Sequence, residues 1–384
     1  MQNIYSKPRA LALFSGGLDS ILAALLVAQQ GIEVTCLHYC TPFFGKPDMV
    51  AHWSKVYGLP ITSIDISAEF VDILQNKPKY NFGKVMNPCV DCKILMLNHA
   101  RKLLEETGAC CLISGEVLGQ RPMSQRKETL NIIRRDSGCA DYILRPLCAQ
   151  HLEPTRAERQ GIIDRSKLLG FFGRGRKQQM ALAKELGVTE IPTPAGGCRL
   201  ADTESAKNYW PVMQNIKNPL PKDFFLANFG RQAWKITDTV QWLITGRNQA
   251  DNDKLLDLAG ENDILFKVQD FTGPIAFGRQ VTPWNDKQVH EAAALMVTYS
   301  PKAMRNHAET GKAVAVRVHY GSLDNEGVLV YVFPNKLSET DWQEPIWEEA
   351  KIGVKNINRA IQEEILYARE TIATSPCRGN GYAG

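Results

Sequence analysis

An α/β protein built on a doubly wound parallel sheet, followed by a separate α+β module, is what this sequence predicts. Three observations carry that reading. Short apolar runs alternate with helical patterns through the first half of the chain. A glycine turn, Ser15-Gly16-Gly17-Leu18-Asp19-Ser20, sits where the first strand passes into the first helix. From about Tyr209 the alternation stops and strand-rich sequence takes over. The length of 384 residues fits two or three domains, and 44% apolar with 22% charged residues allows a sizeable core and excludes global disorder. The net charge of +4 is mildly basic and calls for nucleic acid only where basic residues cluster. No run of about eighteen apolar residues suggests a membrane span. No signal peptide is read at the N-terminus, so a cytoplasmic setting is expected. There the ten cysteines are catalytic, metal-bound or simply buried.

In chain order, residues 11–14 form the first strand and 21–30 the first helix. Residues 33–39 are the second strand, 49–57 a helix and 61–66 the third strand. Residues 91–107 make a long amphipathic helix stopped by Gly108, and 110–114 the fourth strand. Ligands of such sheets sit at the carboxyl ends of the strands, which singles out the loops after Phe14, Tyr39 and Ser114. Asn208-Tyr209-Trp210-Pro211 and Asn218-Pro219-Leu220-Pro221 read as a linker. Beyond it come strands at 239–244, 264–268, 313–318 and 327–333, with a helix at 286–298 among them. The expected domains are 1–208, a linker 209–234, an α+β domain 235–340, and a helical tail 341–384 with a loose end from Ser375.

The glycine turn has the chemistry of a phosphate loop. Gly16 and Gly17 let the backbone approach an anion, and the following helix offers free N–H groups at the positive end of its dipole. Ser15 and Ser20 add hydroxyl donors, and Asp19 is placed to hold Mg²⁺ on the bound phosphates. No lysine follows the glycines, so the Walker pattern and γ-phosphate transfer are not indicated. A bare Gly-Gly would be a plain turn; the six-residue string between strand and helix points to a nucleotide diphosphate group. His38, ending the second strand, reads either as an adenosine neighbour or as a satisfied loop histidine.

S-G-G-L-D-S resembles the signature of the PP-loop (N-type) ATP pyrophosphatases, which cleave ATP between the α and β phosphates and adenylate a carbonyl oxygen. Ser114-Gly115-Glu116-Val117-Leu118-Gly119-Gln120 is similar to the second nucleotide-side motif of tRNA 4-thiouridine synthetases, which adds Gly115 and Gln120 to the expected nucleotide contacts. Asn87-Pro88-Cys89-Val90-Asp91-Cys92 resembles the catalytic cysteine loop of tRNA 2-thiouridylases. The resemblance covers about the first two hundred residues. It implies an adenine nucleotide alpha hydrolase-like fold, and the last two motifs narrow the chemistry to sulfur transfer.

Cys89 and Cys92 stand just before a helix, and Cys198 lies far along the chain in Thr193-Pro194-Ala195-Gly196-Gly197-Cys198-Arg199-Leu200. Helix N-termini lower thiol pKa values, and Arg199 is expected to push Cys198 the same way. The resemblance implies that a cysteine at each of these two places takes part in sulfur transfer. Two chemistries fit. A persulfide on Cys198 can attack the adenylated carbon, with Cys89 or Cys92 resolving through a disulfide. Alternatively, Cys89, Cys92 and Cys198 ligate three irons of a [4Fe–4S] cluster, leaving the fourth for incoming sulfide. Related three-cysteine thiolation enzymes are cluster-dependent, and the cluster is the preferred reading. A zinc site would want a fourth ligand, for which His99 or His151 are the candidates. Cys36, Cys110 and Cys111 read as core residues, and Cys40, Cys139, Cys148 and Cys377 have no spacing partner.

Arg121, Arg126, Lys127, Arg134 and Arg135 follow the second nucleotide loop, and Arg174, Arg176 and Lys177 open a later helix. Such charges often only solvate a face; beside these loops, with Arg199, they are expected to meet an RNA backbone. Residues 235–336 resemble the RNA-binding domain of the NFACT ribosome-quality-control proteins, in the order of glycine turn at Thr245-Gly246-Arg247, D-I-x-F strand, alanine-rich helix and paired strands. Lys267 stands where that family usually has a histidine, and the basic segment after the helix is short. The resemblance implies RNA contacts from Arg247, Lys267, Arg279, Lys302 and Arg305, whereas a domain that only orients or oligomerises the enzyme would leave them idle.

The sequence thus reads as an ATP-dependent RNA thiolase acting on a tRNA uridine, using ATP and Mg²⁺ and a sulfur donor that is a cysteine desulfurase or sulfide. A PP-loop sulfur transferase for a small molecule, and an RNA-binding factor with a vestigial ATP site, are the alternatives. The N-terminal RNA-binding domain usual in 4-thiouridine synthetases has no counterpart before the loop, so the C-terminal module is expected to substitute for it.

Overall fold

The computed structural model describes residues 7–121, 124–192 and 197–374, which form two compact units: 1–201 together with 351–384, and 202–350. The first unit is ordered β1 (Arg9–Leu13), α1 (Leu18–Ala28), β2 (Glu33–Cys40), α2 (Val50–Tyr57), β3 (Ile61–Asp65), α3 (Ser67–Gln75), α4 (Cys89–Thr107), β4 (Cys111–Ser114), α5 (Lys127–Asp136), β5 (Ile143–Leu144), α6 (Arg156–Arg159) and α7 (Lys177–Glu185). Its five strands run parallel in the order β3-β2-β1-β4-β5. The central strands are apolar on both faces because both are covered. Ala10, Ala12, Cys111 and Ile113 pack with α1, α2 and α7, whereas Leu11, Leu13 and Leu112 pack with α4 and α5. Strand order reverses between β1 and β4, and loops leaving adjacent strands there open a crevice beyond their carboxyl ends. The register Leu13↔Ser114 puts the loop after β1 beside the loop after β4.

The second unit contains α8 (Thr203–Asn215), α9 (Pro221–Leu226), β6 (Arg231–Ile236), β7 (Val240–Thr245), α10 (Gln249–Asp257), β8 (Ile264–Val268), β9 (Ile275–Arg279), α11 (Asp286–Val297), α12 (Pro301–Thr310), β10 (Val314–Tyr320) and β11 (Val328–Val332). Its antiparallel sheet is ordered β11-β10-β8-β9-β7-β6. Ala292, Ala293, Leu295 and Met296 of α11 pack on one face, against Phe266, Val316 and Val318. The helix α13 (Trp347–Thr374) follows.

Two expected boundaries differ. Residues 209–234 are not a linker: α8 and α9 lie there, with Tyr209, Val212, Phe224 and Leu226 fully buried. Pro211 sits inside α8, and its carbonyl accepts a hydrogen bond from Asn215 Nδ2 at 3.0 Å. The tail is likewise no appendage. From Lys351 it belongs to the first unit, where Asn358 holds Phe82 by both backbone groups, N–H to Oδ1 at 2.8 Å and Nδ2 to C=O at 3.1 Å.

Candidate active site

The phosphate loop is shaped by its glycines. Gly16 has φ +75°, and a Cβ there would lie 2.6 Å from the Trp53 ring. Gly17 caps α1 in an extended conformation. The Ser20 hydroxyl donates to Gly17 C=O at 2.7 Å, and Gly17 N–H donates to Ser15 Oγ at 3.3 Å, so the two serines brace the turn. Among the described residues the amides of Gly16, Leu18 and Asp19 meet no acceptor, as the first turn of a helix leaves them. Free amides at a helix N-terminus have the geometry to take an anion. Asp19 Oδ2 accepts from Gln120 Nε2 at 2.9 Å, while Oδ1 is buried without a partner.

The loop after β4 closes on the first. A Cβ on Gly115 would stand 2.5 Å from the Asp19 carbonyl, so only glycine lets the two loops touch. Glu116 is buried beneath them, bound to Arg145 at 3.0 Å and facing Lys93 at 3.7 Å. Burial pushes its pKa up, but Lys93 and Arg145 outweigh that and hold the carboxyl below its ordinary value. Lys93 directly follows Cys92, so the Gly115–Glu116 step links the Asp19 carbonyl on one side to the start of α4 on the other. Lys93 and Arg145 carry no motif signal; only the adjacency of Lys93 to Cys92 could have drawn notice.

His38 is the satisfied histidine. Its Nδ1–H donates to Phe14 C=O at 2.9 Å and its Nε2 accepts Lys46 N–H at 2.8 Å. Burial lowers its pKa, in keeping with a neutral ring. It fixes the ends of β1 and β2 and keeps no ring nitrogen free for a nucleotide.

Cys89 opens α4, and Asn87 Nδ2 donates to its sulfur at 3.0 Å. Asp91 accepts the amides of Lys79 and Tyr80, which folds the preceding segment back on the helix. The Cys198 turn is held to this region by Met86 N–H to Leu200 C=O at 3.0 Å, and by Arg199 N–H to Phe43 C=O at 2.9 Å. Residues 193–196 of that turn, like Cys377, lie outside the described residues. The three thiols come within electrostatic reach of one another: charge on Cys89 or Cys198 disfavours charge on Cys92, and Cys89 acts likewise on Cys198. The expected lowering of thiol pKa is reversed. Burial pushes the Cys92 thiol well up and that of Cys198 up to about 11, and the cation that eases Cys198 is Arg121 rather than Arg199. Among the described residues no group of three or more His, Cys, Asp or Glu is placed to hold a metal ion. His99 and His151 are engaged elsewhere, with Tyr39 Oη and with Gly170 C=O.

Residues 5–170 match the family model described as thiamine biosynthesis protein (ThiI). The match covers the phosphate loop, the Cys89–Cys92 loop and the Gly115–Gln120 loop. A probable tRNA sulfurtransferase of Thermococcus kodakarensis is 30% identical over 173 residues, 44% of this chain and 42% of that protein. One from Methanobrevibacter smithii is 32% identical over 171 residues, 42% and 43% of the two chains. The chain therefore spans less than half the length of these curated relatives. A solved 4-thiouridine synthetase–RNA complex with bound ATP aligns at a TM-score of 0.32 and 19% identity, over 57% of this chain and 53% of that one.

Around the ThiI-like region the basic residues divide into two groups. Leu118 bridges Phe172, and Gly173 N–H donates to Leu118 C=O, so Arg174, Arg176 and Lys177 are carried to the second nucleotide loop. Arg126 and Lys127 are exposed at the start of α5, and Arg199 is exposed beside Cys198. Arg134 and Arg135 are occupied, by Ala140 C=O and by Asp136. In the second unit Arg247 pairs with Asp251 at 2.7 Å, and Arg279 is locked between Asp223 and Asp263. Arg279 is thereby built into the fold, whereas Arg247 is half exposed and engaged only locally. Lys267, Lys302 and Arg305 stay exposed. No helix among the described residues is long and apolar enough to cross a membrane.

Proposed function

We propose that the chain is an ATP-dependent RNA thiolase that places sulfur on a tRNA uridine. The observation that carries the proposal is that Gly115 packs on the Asp19 carbonyl while the next residue, Glu116, pairs with Lys93 beside Cys92, which joins an anion cradle to a group of thiols. The 30% identity over 173 residues to a probable tRNA sulfurtransferase supports tRNA as the substrate class.

The amides of Gly16, Leu18 and Asp19 bind the ATP phosphates, and Gln120 fixes the Asp19 carboxylate so that its orphaned Oδ1 faces a cation. That oxygen suits Mg²⁺, which neutralises charge on the departing diphosphate. The base carbonyl oxygen attacks the α-phosphorus, the α–β bond breaks and diphosphate leaves. The carbonyl carbon then carries AMP as its leaving group. Sulfide sulfur held at the cysteine site attacks that carbon, AMP departs and C=S remains, with no net redox change.

Cys89, Cys92 and Cys198 are the residues that would hold a [4Fe–4S] cluster: their thiols lie within electrostatic reach of one another, although they do not converge on a metal position among the described residues. A cluster offers its irons at separate corners, so its ligands need not converge on one point as for zinc. When bound, it would supply an iron free to take up sulfide. Residues Arg174, Arg176, Lys177 and Arg199 neutralise the RNA backbone beside the loops.

The test is anaerobic purification with iron and sulfide analysis, beside an assay of AMP and thionucleoside with bulk tRNA. About four irons per chain, lost in Cys198→Ala, together with tRNA-stimulated AMP, is the expected result. Iron-free protein that still thiolates moves the sulfur to a Cys198 persulfide. AMP formed equally without RNA points to a small-molecule acceptor, and no AMP at all overturns the enzyme.

A further inference from the structure

We infer that the open face of β8, β10 and β11 is a platform for an unpaired RNA segment, an inference that rests on the reading of RNA as substrate. On this end of the sheet alternate residues of β10 and β11 enter the core. Val314, Val316, Val318, Val330 and Val332 point into the core with α11, so their neighbours point away from it. At one end of these strands the outward positions form two rows, and beyond them His319 faces Leu265 in a third row that is buried. In one of the two, Lys267 stands opposite Arg317, and Arg317 opposite Leu329. In the other, Ala315 stands opposite Tyr331.

The two rows offer different chemistry. Tyr331 is 63% exposed, and the methyl of Ala315 beside it is too small to cover the ring. Phe333, one residue past the strand, is equally exposed and has the His307 ring edge-on to it. Leu329 adds apolar surface. Arg317 is held by neutral acceptors, Gln269 Oε1 at 2.8 Å and Glu326 C=O at 2.5 Å, which orient its guanidinium without compensating its charge. Lys267 is exposed and makes no ion pair among the described residues. None of the outward positions on the three strands carries a carboxylate.

Exposed aromatic rings interleaved with uncompensated cations match a strand of nucleic acid, whose bases stack on the rings and whose phosphates meet the charges. A duplex keeps its base faces covered, so the rings select unpaired RNA. This face also replaces Arg247 and Arg279, whose charges are taken by Asp251, Asp223 and Asp263. An apolar protein partner would leave Lys267 and Arg317 facing nothing of opposite sign.

The full chain is titrated with a fluorescently labelled oligouridylate of about fifteen nucleotides and with a duplex of equal length, by anisotropy at several salt concentrations. The unpaired RNA is expected to bind more tightly. Tyr331→Ala weakens that binding about tenfold while Tyr331→Phe retains it. Lys267→Gln and Arg317→Gln each reduce the salt slope by about 0.7. Unchanged affinity and slope in all three neutralising or truncating variants overturns the platform. So does sedimentation showing that Tyr331→Ala breaks a dimer while RNA affinity stays the same, which assigns the face to a second copy. A wild-type chain that binds neither RNA overturns it as well. AMP and thionucleoside formation is followed in parallel: if these persist while the variants bind like wild type, the platform falls and the thiolase stands. If they are absent while Tyr331 still governs oligouridylate binding, the thiolase falls and the platform stands.

Discussion

Gly16 cannot be replaced without moving the nucleotide loop. Its left-handed φ of +75° costs an ordinary residue about 1–2 kcal/mol, and its Cβ would overlap the Trp53 ring at 2.6 Å. Gly16→Ala is therefore expected to weaken ATP binding at least about tenfold by calorimetry, since 1.4 kcal/mol is a decade. A second single-residue prediction concerns Glu116. Its folded pKa lies below its unfolded value of about 4.5 because Lys93 and Arg145 outweigh burial. A depressed carboxyl adds stability above the unfolded pKa and loses it as pH falls through the folded one. The denaturant-melt stability of the wild type should fall below about pH 4.5 more steeply than that of Glu116→Gln; parallel curves would show the ion pair contributes nothing. Arg145→Met, which strands the buried carboxylate, should cost about 3–5 kcal/mol in a denaturant melt. At this scale the glycine turn between β1 and α1 was legible from backbone chemistry, but not that Ser15 and Ser20 brace it. His38 was not. Whether a histidine faces a ligand or two backbone groups depends on Phe14 and Lys46, which only the fold brings to it. Arg247 and Cys198 misled for the same reason: one meets Asp251 and the other meets burial.

The first four strands with α1, α2 and α4 were readable from their single-period patterns, whereas α3, α5 and β5 of the same unit were not. Gly108, at φ +65°, ends α4 as the sequence indicates. The elements that escaped carry contradictory signals. α8 contains Pro211, and β9 follows Gly273-Pro274 and includes Gly278, whose missing side chain makes room for Trp284. Helix α13 was legible as a helix but not in its role, since nothing in its sequence marks Asn358 as the residue that holds Phe82. The clasp controls the segment before Cys89. Phe82 is buried, so losing both hydrogen bonds should cost about 1–3 kcal/mol locally. Asn358→Ala is expected to speed hydrogen exchange of the Phe82 amide and to ease proteolysis within residues 77–88, while β1 and β4 keep their protection. Unaltered exchange there would mean that Asp91, which accepts Lys79 and Tyr80, holds the segment alone.

The first unit is discontinuous in sequence, and that decides how the molecule can be divided. Residues 1–201 contain the nucleotide loops and all three cysteines, yet they are completed by the chain from Lys351 onward, which returns to supply Asn358. A truncation after Ala201 removes that return and leaves the Phe82 backbone groups buried and unpaired, a desolvation cost that a marginally stable domain bears poorly. Excising residues 202–350 and joining the ends through a flexible linker keeps it. The excised form is expected to melt near the full chain's first transition and to bind ATP with unchanged affinity, whereas the truncated form melts lower. Both lack the open sheet face, so both should lose affinity for oligouridylate, and the residual RNA binding of the excised form measures what Arg174, Arg176, Lys177 and Arg199 contribute alone. If the truncated and excised forms melt together, α13 is dispensable to the first unit; if the excised form binds oligouridylate as tightly as the full chain, RNA recognition resides wholly beside the catalytic loops.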